Sequence, residues 1–139
     1  NGLLKVVENT GLLGRWQILK DKPKVICDTG HNKEGLSYVF KQLKQESYQN
    51  LHIVFGVVND KDLDTILPLF PKKATYYFCK PNIPRGLNAI DLQNRCSKFG
   101  LNGNSYFSVN DAYKEALKSA KNNDLIFIGG STFVVAEVL

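Results

Sequence analysis

The feature that most constrains the fold is a regular alternation of short, almost wholly apolar runs with segments of helical periodicity. The apolar runs are rich in β-branched and aromatic residues and occupy positions 24–27, 51–58, 74–78 and 125–128. Near-continuous apolarity is typical of strands covered on both faces, as in the interior of a parallel sheet. We therefore predict an inner parallel strand at each run.

The segments after these runs carry apolar residues at the i, i+3, i+4, i+7 spacing of a helix with one buried face. The stripes are Leu36, Val39, Phe40 and Leu43; Leu63, Ile66, Leu67 and Phe70; Ala89, Leu92, Cys96 and Phe99; and Ala112, Tyr113, Ala116, Leu117 and Ala120. Ser108 and Asp111 precede the fourth stripe at capping-box spacing, and a short apolar helix is predicted through Val138.

Strands that alternate with helices at this spacing specify a parallel sheet with helices on both faces, linked by right-handed crossovers. A polar, turn-like stretch at 20–23 joins residues 15–19 to the first inner strand, so an antiparallel hairpin should open the sheet. The predicted fold class is α/β, with a Rossmann-like, mixed but mostly parallel sheet of about six strands.

The 139 residues fit one domain. Because the sequence contains no methionine, we expect it to be a fragment of a longer protein, in which residues 1–139 form a single domain and residues 1–13 are a linker from a preceding domain.

Composition excludes several classes of function. The net charge is +5, but the basic residues are scattered along the chain, which does not favour a nucleic-acid partner. Three cysteines far apart in the sequence indicate reduced, buried thiols, and they and the two histidines lack the spacing of a metal site. No apolar run reaches the roughly 18 residues of a membrane span. A cytoplasmic protein without a membrane partner is expected.

Ligands of open α/β sheets collect beyond the carboxyl ends of the strands. The loop after the first inner strand reads Asp28-Thr29-Gly30-His31-Asn32. Asp28 could accept hydrogen bonds from ribose hydroxyls, Gly30 would let the backbone turn closely, His31 could donate to a phosphate oxygen, and Asn32 could cap the helix. The alternative is an ordinary cap with a surface histidine.

Two further loops carry polar residues at the same edge. Asn59-Asp60-Lys61-Asp62 favours a charged helix cap, and Gly129-Gly130-Ser131-Thr132 is equally compatible with an anion-holding nest and with a tight turn. The chain lacks the GxxxxGK[ST] phosphate loop, the GxGxxG fingerprint and the GxSxG elbow. Residue patterns alone therefore indicate an α/β domain with a polar rim.

Together these loops resemble the carboxy-terminal domain of the folylpolyglutamate and dihydrofolate synthases, which are relatives of the Mur peptide ligases. The likeness runs from Leu13 onwards. It rests on Gly14-Arg15, on the Asp-x-x-His-Asn loop at residues 28–32, on Phe55-Gly56 ahead of Asp60-Lys61-Asp62, and on Gly129-Gly130-Ser131. The Asp-Lys-Asp sequence favours the folate branch.

The resemblance implies an enzyme in which ATP phosphorylates a folate or pteroate carboxylate and glutamate attacks the acyl phosphate to form an amide. It implies that Arg15 reaches the ATP phosphates and that Asp28 holds the ribose. His31 would be catalytic, near the phosphates or the incoming glutamate, and Ser131 would bind glutamate. A covalently linked N-terminal ATPase domain would supply the Mg²⁺ ligands, and this chain alone would be inactive.

Two positions depart from the family pattern, Gly30 for the usual Ala and Lys33 for the usual Pro. Neither departure changes the identity of Asp28 or His31. The loop should be looser, because proline at the start of the helix is lost. Another Mur-type peptide ligase and a non-catalytic nucleotide-binding or interaction module are the alternatives. The role of Asp60-Lys61-Asp62 and the preferred folate stay open.

Overall fold

The computed structural model describes residues 16–30, 33–59 and 62–139. Within them the chain forms six strands and five α-helices. The strands are β1 (Gln17–Asp21), β2 (Lys24–Cys27), β3 (Leu51–Phe55), β4 (Thr75–Phe78), β5 (Gly103–Ser105) and β6 (Leu125–Gly129). The helices are α1 (Lys33–Leu43), α2 (Leu63–Ile66), α3 (Ala89–Ser97), α4 (Val109–Ser119) and α5 (Thr132–Val138). Arg15 and the predicted linker at 1–13 lie outside the described residues.

The strands form one sheet in the order β1-β2-β6-β3-β4-β5. Only the β1–β2 pairing is antiparallel, and β2, β6, β3, β4 and β5 run parallel. The predicted mixed, mostly parallel sheet and its opening hairpin are therefore confirmed. The last strand, β6, inserts between β2 and β3, an order that no local pattern announced.

Helices cover both faces of the sheet, as predicted. On one face the buried side chains of α1, α2 and α3 pack against Ile26, Phe55, Phe78 and Phe127. On the other face α4 and α5 pack against Val25, Val54 and Ile128. From β3 to β5 the chain adds strands towards one edge of the sheet, and the crossover through α4 then runs back to β6 in the centre. A right-handed crossover in the reverse direction places its helix on the opposite face.

The second helix is shorter than its apolar stripe suggested. It ends at Ile66 and continues as one 3-10 turn over Leu67–Leu69, with Pro68 in that turn. Proline has no N–H and crowds the preceding turn, so it ends the α-helix. The stripe itself is correct, since Leu63, Ile66, Leu67 and Phe70 are all buried.

Strand β5 was not predicted. Its sequence, Gly103-Asn104-Ser105, has no apolar residue because it forms the edge of the sheet beside β4. A Cβ at Gly103 would overlap the carbonyl oxygen of Tyr76. Glycine is required there by close backbone approach, which a hydrophobicity pattern does not reveal.

Local predictions at the caps and thiols are confirmed. The Ser108 hydroxyl accepts a hydrogen bond from the Asp111 amide at 3.1 Å and caps α4. All three cysteines are free and buried. Burial, with the charge of Asp28 adding to it, raises the pKa of Cys27 to about 12, so the thiol beside the candidate site is not a ready nucleophile.

Candidate functional site

The loops that follow β2 and β6 meet at the carboxyl edge of the sheet. The Asp28 amide donates to the carbonyl of Ile128 at 3.2 Å, which continues the β2–β6 ladder into the loop. The helix after β6 lies on the opposite face from α1 and α2, so the chain diverges on either side of β6. Such a divergence opens a crevice at the strand ends, the usual ligand site of open α/β sheets.

Asp28 is buried in this edge, with only 4% of its surface exposed. One carboxylate oxygen accepts a hydrogen bond from the Trp16 amide at 2.9 Å, and the other accepts one from the Gly30 amide at 2.7 Å. The carboxylate therefore ties the start of β1 to the loop after β2. An ionised carboxylate has about four acceptor positions, and the predicted contact with ribose stays a prediction.

The loop after β6 makes a tight turn at the same edge. Gly130 has a φ of +102°, and a Cβ there would stand 2.5 Å from the carbonyl oxygen of Gly56. Only glycine combines that conformation with such close backbone approach. The turn therefore locks the β6 loop against the β3 loop, beside the loop that holds Asp28.

Ser131 follows this turn and is also 4% exposed. Its hydroxyl accepts a hydrogen bond from the Phe133 amide at 3.1 Å and caps α5. A hydroxyl that accepts one bond still has a proton to donate. The structure thus brings Ser131 and Asp28 to neighbouring strand ends, whereas the glutamate contact predicted for Ser131 remains a prediction.

Two predicted site residues, Arg15 and His31, lie outside the described residues, as do Asn32, Asp60 and Lys61. Their convergence with Asp28 remains a prediction.

The loop between β4 and α3 builds a rim that sequence reasoning missed. The Leu87 amide donates to the carbonyl of Val57 at 2.9 Å, and Val58 forms an isolated bridge with Gly86. The Asn82 amide donates to a carboxylate oxygen of Glu137 in α5 at 2.6 Å. Pro81, Pro84 and Gly86 marked a turn here, but its docking on the β3 loop depends on tertiary packing.

A second polar cluster lies at the opposite, amino-terminal end of the strands. His52 in β3 contacts the Tyr77 hydroxyl through Nδ1 and an Asp124 carboxylate oxygen through Nε2, both at 2.8 Å. The amides of Lys121 and Asn50 also donate to Asp124. Burial acts to raise the pKa of Asp124, but these hydrogen bonds outweigh it and hold the pKa below 3.8.

The direction of the hydrogen bonds in this cluster follows from chemistry. An ionised carboxylate can only accept, so Nε2 of His52 carries the proton that faces Asp124. In the neutral ring Nδ1 then accepts from the Tyr77 hydroxyl. Burial is the main cause that raises the pKa of Tyr77, which stays a phenol and can donate. The cluster satisfies its own polar groups and lies away from the candidate site.

In the ranges 16–30, 33–59 and 62–139, no three or more His, Cys, Asp or Glu side chains form a group that could hold a metal ion. Across the same part of the chain, no helix has the length and apolarity needed to cross a bilayer.

Comparison with known proteins identifies the class to which this fold and edge belong. The profile of the family described as "Mur ligase, glutamate ligase domain" matches residues 14–132. The chain therefore belongs to the glutamate ligase domain family of the Mur ligases.

Within that family, the chain is similar to folylpolyglutamate synthases. The dihydrofolate synthase/folylpolyglutamate synthase of Escherichia coli is 30% identical over 141 aligned residues, which cover 100% of this chain and 32% of the relative. A probable bifunctional folylpolyglutamate synthase/dihydropteroate synthase of Haloferax volcanii is 31% identical, covering 89% of this chain and 15% of the relative. The chain thus spans about a third or less of the length of these relatives.

The chain also resembles solved structures of folylpolyglutamate synthases. E. coli FolC in complex with DHPP and ADP superposes with a TM-score of 0.82 at 31% identity, over 90% of this chain and 30% of that one. A bifunctional folylpolyglutamate synthase/dihydrofolate synthase with Mn, AMPPNP and L-glutamate bound superposes with a TM-score of 0.81 at 26% identity, over 92% of this chain and 31% of that one.

Proposed function

We propose that this chain is the carboxy-terminal domain of an ATP-dependent carboxylate–amine ligase that adds L-glutamate to folate or dihydropteroate through an acyl phosphate. The observation that carries the proposal is the family match over residues 14–132 combined with the meeting of the Asp28 and Ser131 loops at one edge of the sheet. Among the solved relatives, one is in complex with DHPP and ADP, and another has Mn, AMPPNP and L-glutamate bound.

The proposal divides the chemistry between two domains. A covalently linked N-terminal ATPase domain would hold most of the ATP and the Mg²⁺, as the resemblance to the folate ligases implies. This domain would contribute Arg15 to the phosphates, Asp28 to the nucleotide, His31 near the reacting groups and Ser131 to glutamate. Arginine presents a planar fork of donors that matches phosphate oxygens.

Closure of the two domains would exclude water from the acyl phosphate and align the glutamate amine with it. Excluding water is necessary because an acyl phosphate hydrolyses readily. The buried, rigid edge at β2 and β6 is suited to this role, because it presents loops whose backbone is fixed by hydrogen bonds. A cytoplasmic setting, where ATP and reduced thiols coexist, is part of the proposal.

The experiment measures ADP release and glutamate incorporation, by mass spectrometry, in the ligase that carries this chain and in the chain alone. We expect ADP release by the ligase to require both glutamate and a dihydropteroate or tetrahydrofolate, and the isolated chain to fold without ATP turnover. ATP turnover by the isolated chain, or ligation of a peptidoglycan precursor in place of a folate, would overturn the proposal.

A further inference from the structure

Each of the parallel strands is entered by a loop that carries exposed lysine. These loops are residues 22–23, 44–50, 70–74, 98–102 and 120–124. The lysines exposed in them are Lys22, Lys44, Lys72, Lys73, Lys98 and Lys121. Because the starts of parallel strands lie at one edge of a sheet, the fold gathers charges that are scattered along the sequence. We call this set the amino-edge lysine row.

The carboxylates in the same loops, Glu46 and Asp124, are both engaged. Glu46 pairs with the Lys24 ammonium at 2.6 Å, and Asp124 is buried against His52. The exposed Asp21 adjoins one end of the row. Acidic residues in the first turns of the helices lie at the opposite edge: Glu34, Asp64, Asp91 and Asp111. The amino edge therefore presents positive charge that its own carboxylates do not balance.

The helix dipole explains part of the row. Cations are favoured near helix C-termini, and Lys44 and Lys98 directly follow α1 and α3. Lys22 lies in the β1–β2 turn, and Lys72 and Lys73 stand between the 3-10 turn and β4, so no α-helix accounts for these three. Neighbouring like charges repel one another and destabilise the folded state. An anionic partner at this edge would relieve that repulsion.

The loops that carry the row are held against one another. The Gln49 amide donates to the carbonyl of Asn123 at 2.9 Å, which joins the loops before β3 and β6. A Cβ placed on Gly100 would lie 3.6 Å from Cδ of Lys72, so the loops before β4 and β5 are in contact. Neighbouring strands are about 4.8 Å apart, less than the screening length of about 8 Å at physiological salt. The charges of adjacent loops therefore act together on one ligand.

We propose that the amino-edge lysine row is a docking surface for an acidic segment of a partner protein. Its loops, all within the described ranges, carry no arginine and no exposed large apolar side chain. Helices that lie in a membrane surface bury apolar side chains, and single-stranded nucleic acid is held by aromatic stacking. Lysine ammoniums are separate point charges that match isolated carboxylates, whereas arginine suits bidentate phosphate recognition. The row lies at the opposite edge from Asp28 and Ser131, so the partner leaves the candidate site uncovered.

The first test measures the binding of a fluorescein-labelled oligo-L-glutamate peptide to the 139-residue chain by fluorescence anisotropy. We expect saturable binding at low salt, and its loss near about 1 M NaCl, where the screening length falls to about 3 Å. Absence of binding at low salt, or binding that survives the high salt concentration, would overturn the proposal.

The second test locates the bound peptide. Lys72→Gln/Lys121→Gln removes two charges of the row, whereas the control Lys80→Gln/Lys114→Gln removes two exposed lysines elsewhere, after β4 and within α4. The first double variant should raise the Kd for the peptide about fivefold, as expected for the loss of two exposed ion pairs. The control should change it less than about twofold, although both variants have the same net charge. Equal weakening by the two variants would show that net charge alone attracts the peptide and would refute the docking surface.

The third test compares classes of partner. An oligoribonucleotide of the same charge as the peptide is titrated in the anisotropy assay, and vesicles of phosphatidylserine and phosphatidylcholine are examined by co-sedimentation. We expect both to bind more weakly than the peptide. Tighter binding of either one would assign the row to that class of partner and contradict the inference. None of these assays uses ATP or glutamate ligation, so their outcome is independent of the proposed function.

Discussion

Nε2 of His52 lies 2.8 Å from a carboxylate oxygen of Asp124, although the two residues are 72 positions apart in the chain. Both side chains are buried. They join β3 to the start of β6 at the amino edge of the sheet, away from Asp28 and Ser131. The pair therefore stabilises the domain. Substitutions at these two residues should change the stability without changing the candidate site.

Acid should destabilise the domain through Asp124. Its pKa in the folded state lies below the ordinary value of 3.8, so the ionised carboxylate contributes stability that is present above that value and lost as the pH falls through the folded-state pKa. Urea unfolding midpoints measured between neutral pH and about pH 2.5 should fall less steeply for Asp124→Asn than for wild type. The exposed Asp21 supplies the control, Asp21→Asn. Parallel curves for wild type and Asp124→Asn would refute this account.

Replacing His52 should lower the free energy of unfolding more than the loss of its hydrogen bond to Tyr77 or to Asp124 alone. His52→Phe leaves the buried Asp124 carboxylate and the Tyr77 hydroxyl each short of one partner. We expect a loss of roughly 3 kcal/mol in the free energy of unfolding. Tyr77→Phe, which leaves only one ring nitrogen without its partner, should cost about 1 kcal/mol. Equal losses for the two variants would show that the Asp124 contact is not the dominant one.

The two serine caps allow structural and substrate roles to be separated. Ser131 and Ser108 each accept a 3.1 Å hydrogen bond from a backbone amide in the first turn of the following helix. Ser131→Ala and Ser108→Ala should each lower stability by about 1 kcal/mol. In the ligase only Ser131→Ala should raise the KM for glutamate. A similar rise for both variants would indicate that the effect comes from lost capping and not from substrate binding.

The edge strand β5 depends on one glycine. In Gly103→Ala the new methyl group would overlap the Tyr76 carbonyl oxygen. The strand must then separate from β4, at an expected cost of more than about 2 kcal/mol. Ser105→Ala in the same strand is the matched control and should stay within about 0.5 kcal/mol of wild type. The measurement is the thermal unfolding midpoint of wild type and the two variants. A midpoint for Gly103→Ala equal to that of wild type would contradict the close approach of Gly103 to the Tyr76 carbonyl.

Several levels of this structure could be predicted because their causes are local. The apolar runs of β2, β3, β4 and β6 reflect burial on both faces, and Ser108 is recognisable as a cap from its spacing to Asp111. The carboxyl-edge location of Asp28 and Ser131 followed from their places after strands. Strand β5 and the early end of α2 could not be predicted from apolar periodicity. Close backbone contact at Gly103 determines where β5 lies, and Pro68 ends α2.

The sequence by itself determined the α/β class, the inner strands, the buried helix faces and the loops that carry the candidate site, because periodicity, capping and turn chemistry act over a few residues. Only the tertiary structure decided that β6 inserts between β2 and β3, that Asp28 bonds the amide of Trp16, and that His52 meets Asp124. The two hydrogen bonds join residues 12 and 72 positions apart, and the pairing of β6 with β2 joins residues that are farther apart still. They depend on how the whole chain closes its core, which no short stretch of sequence encodes.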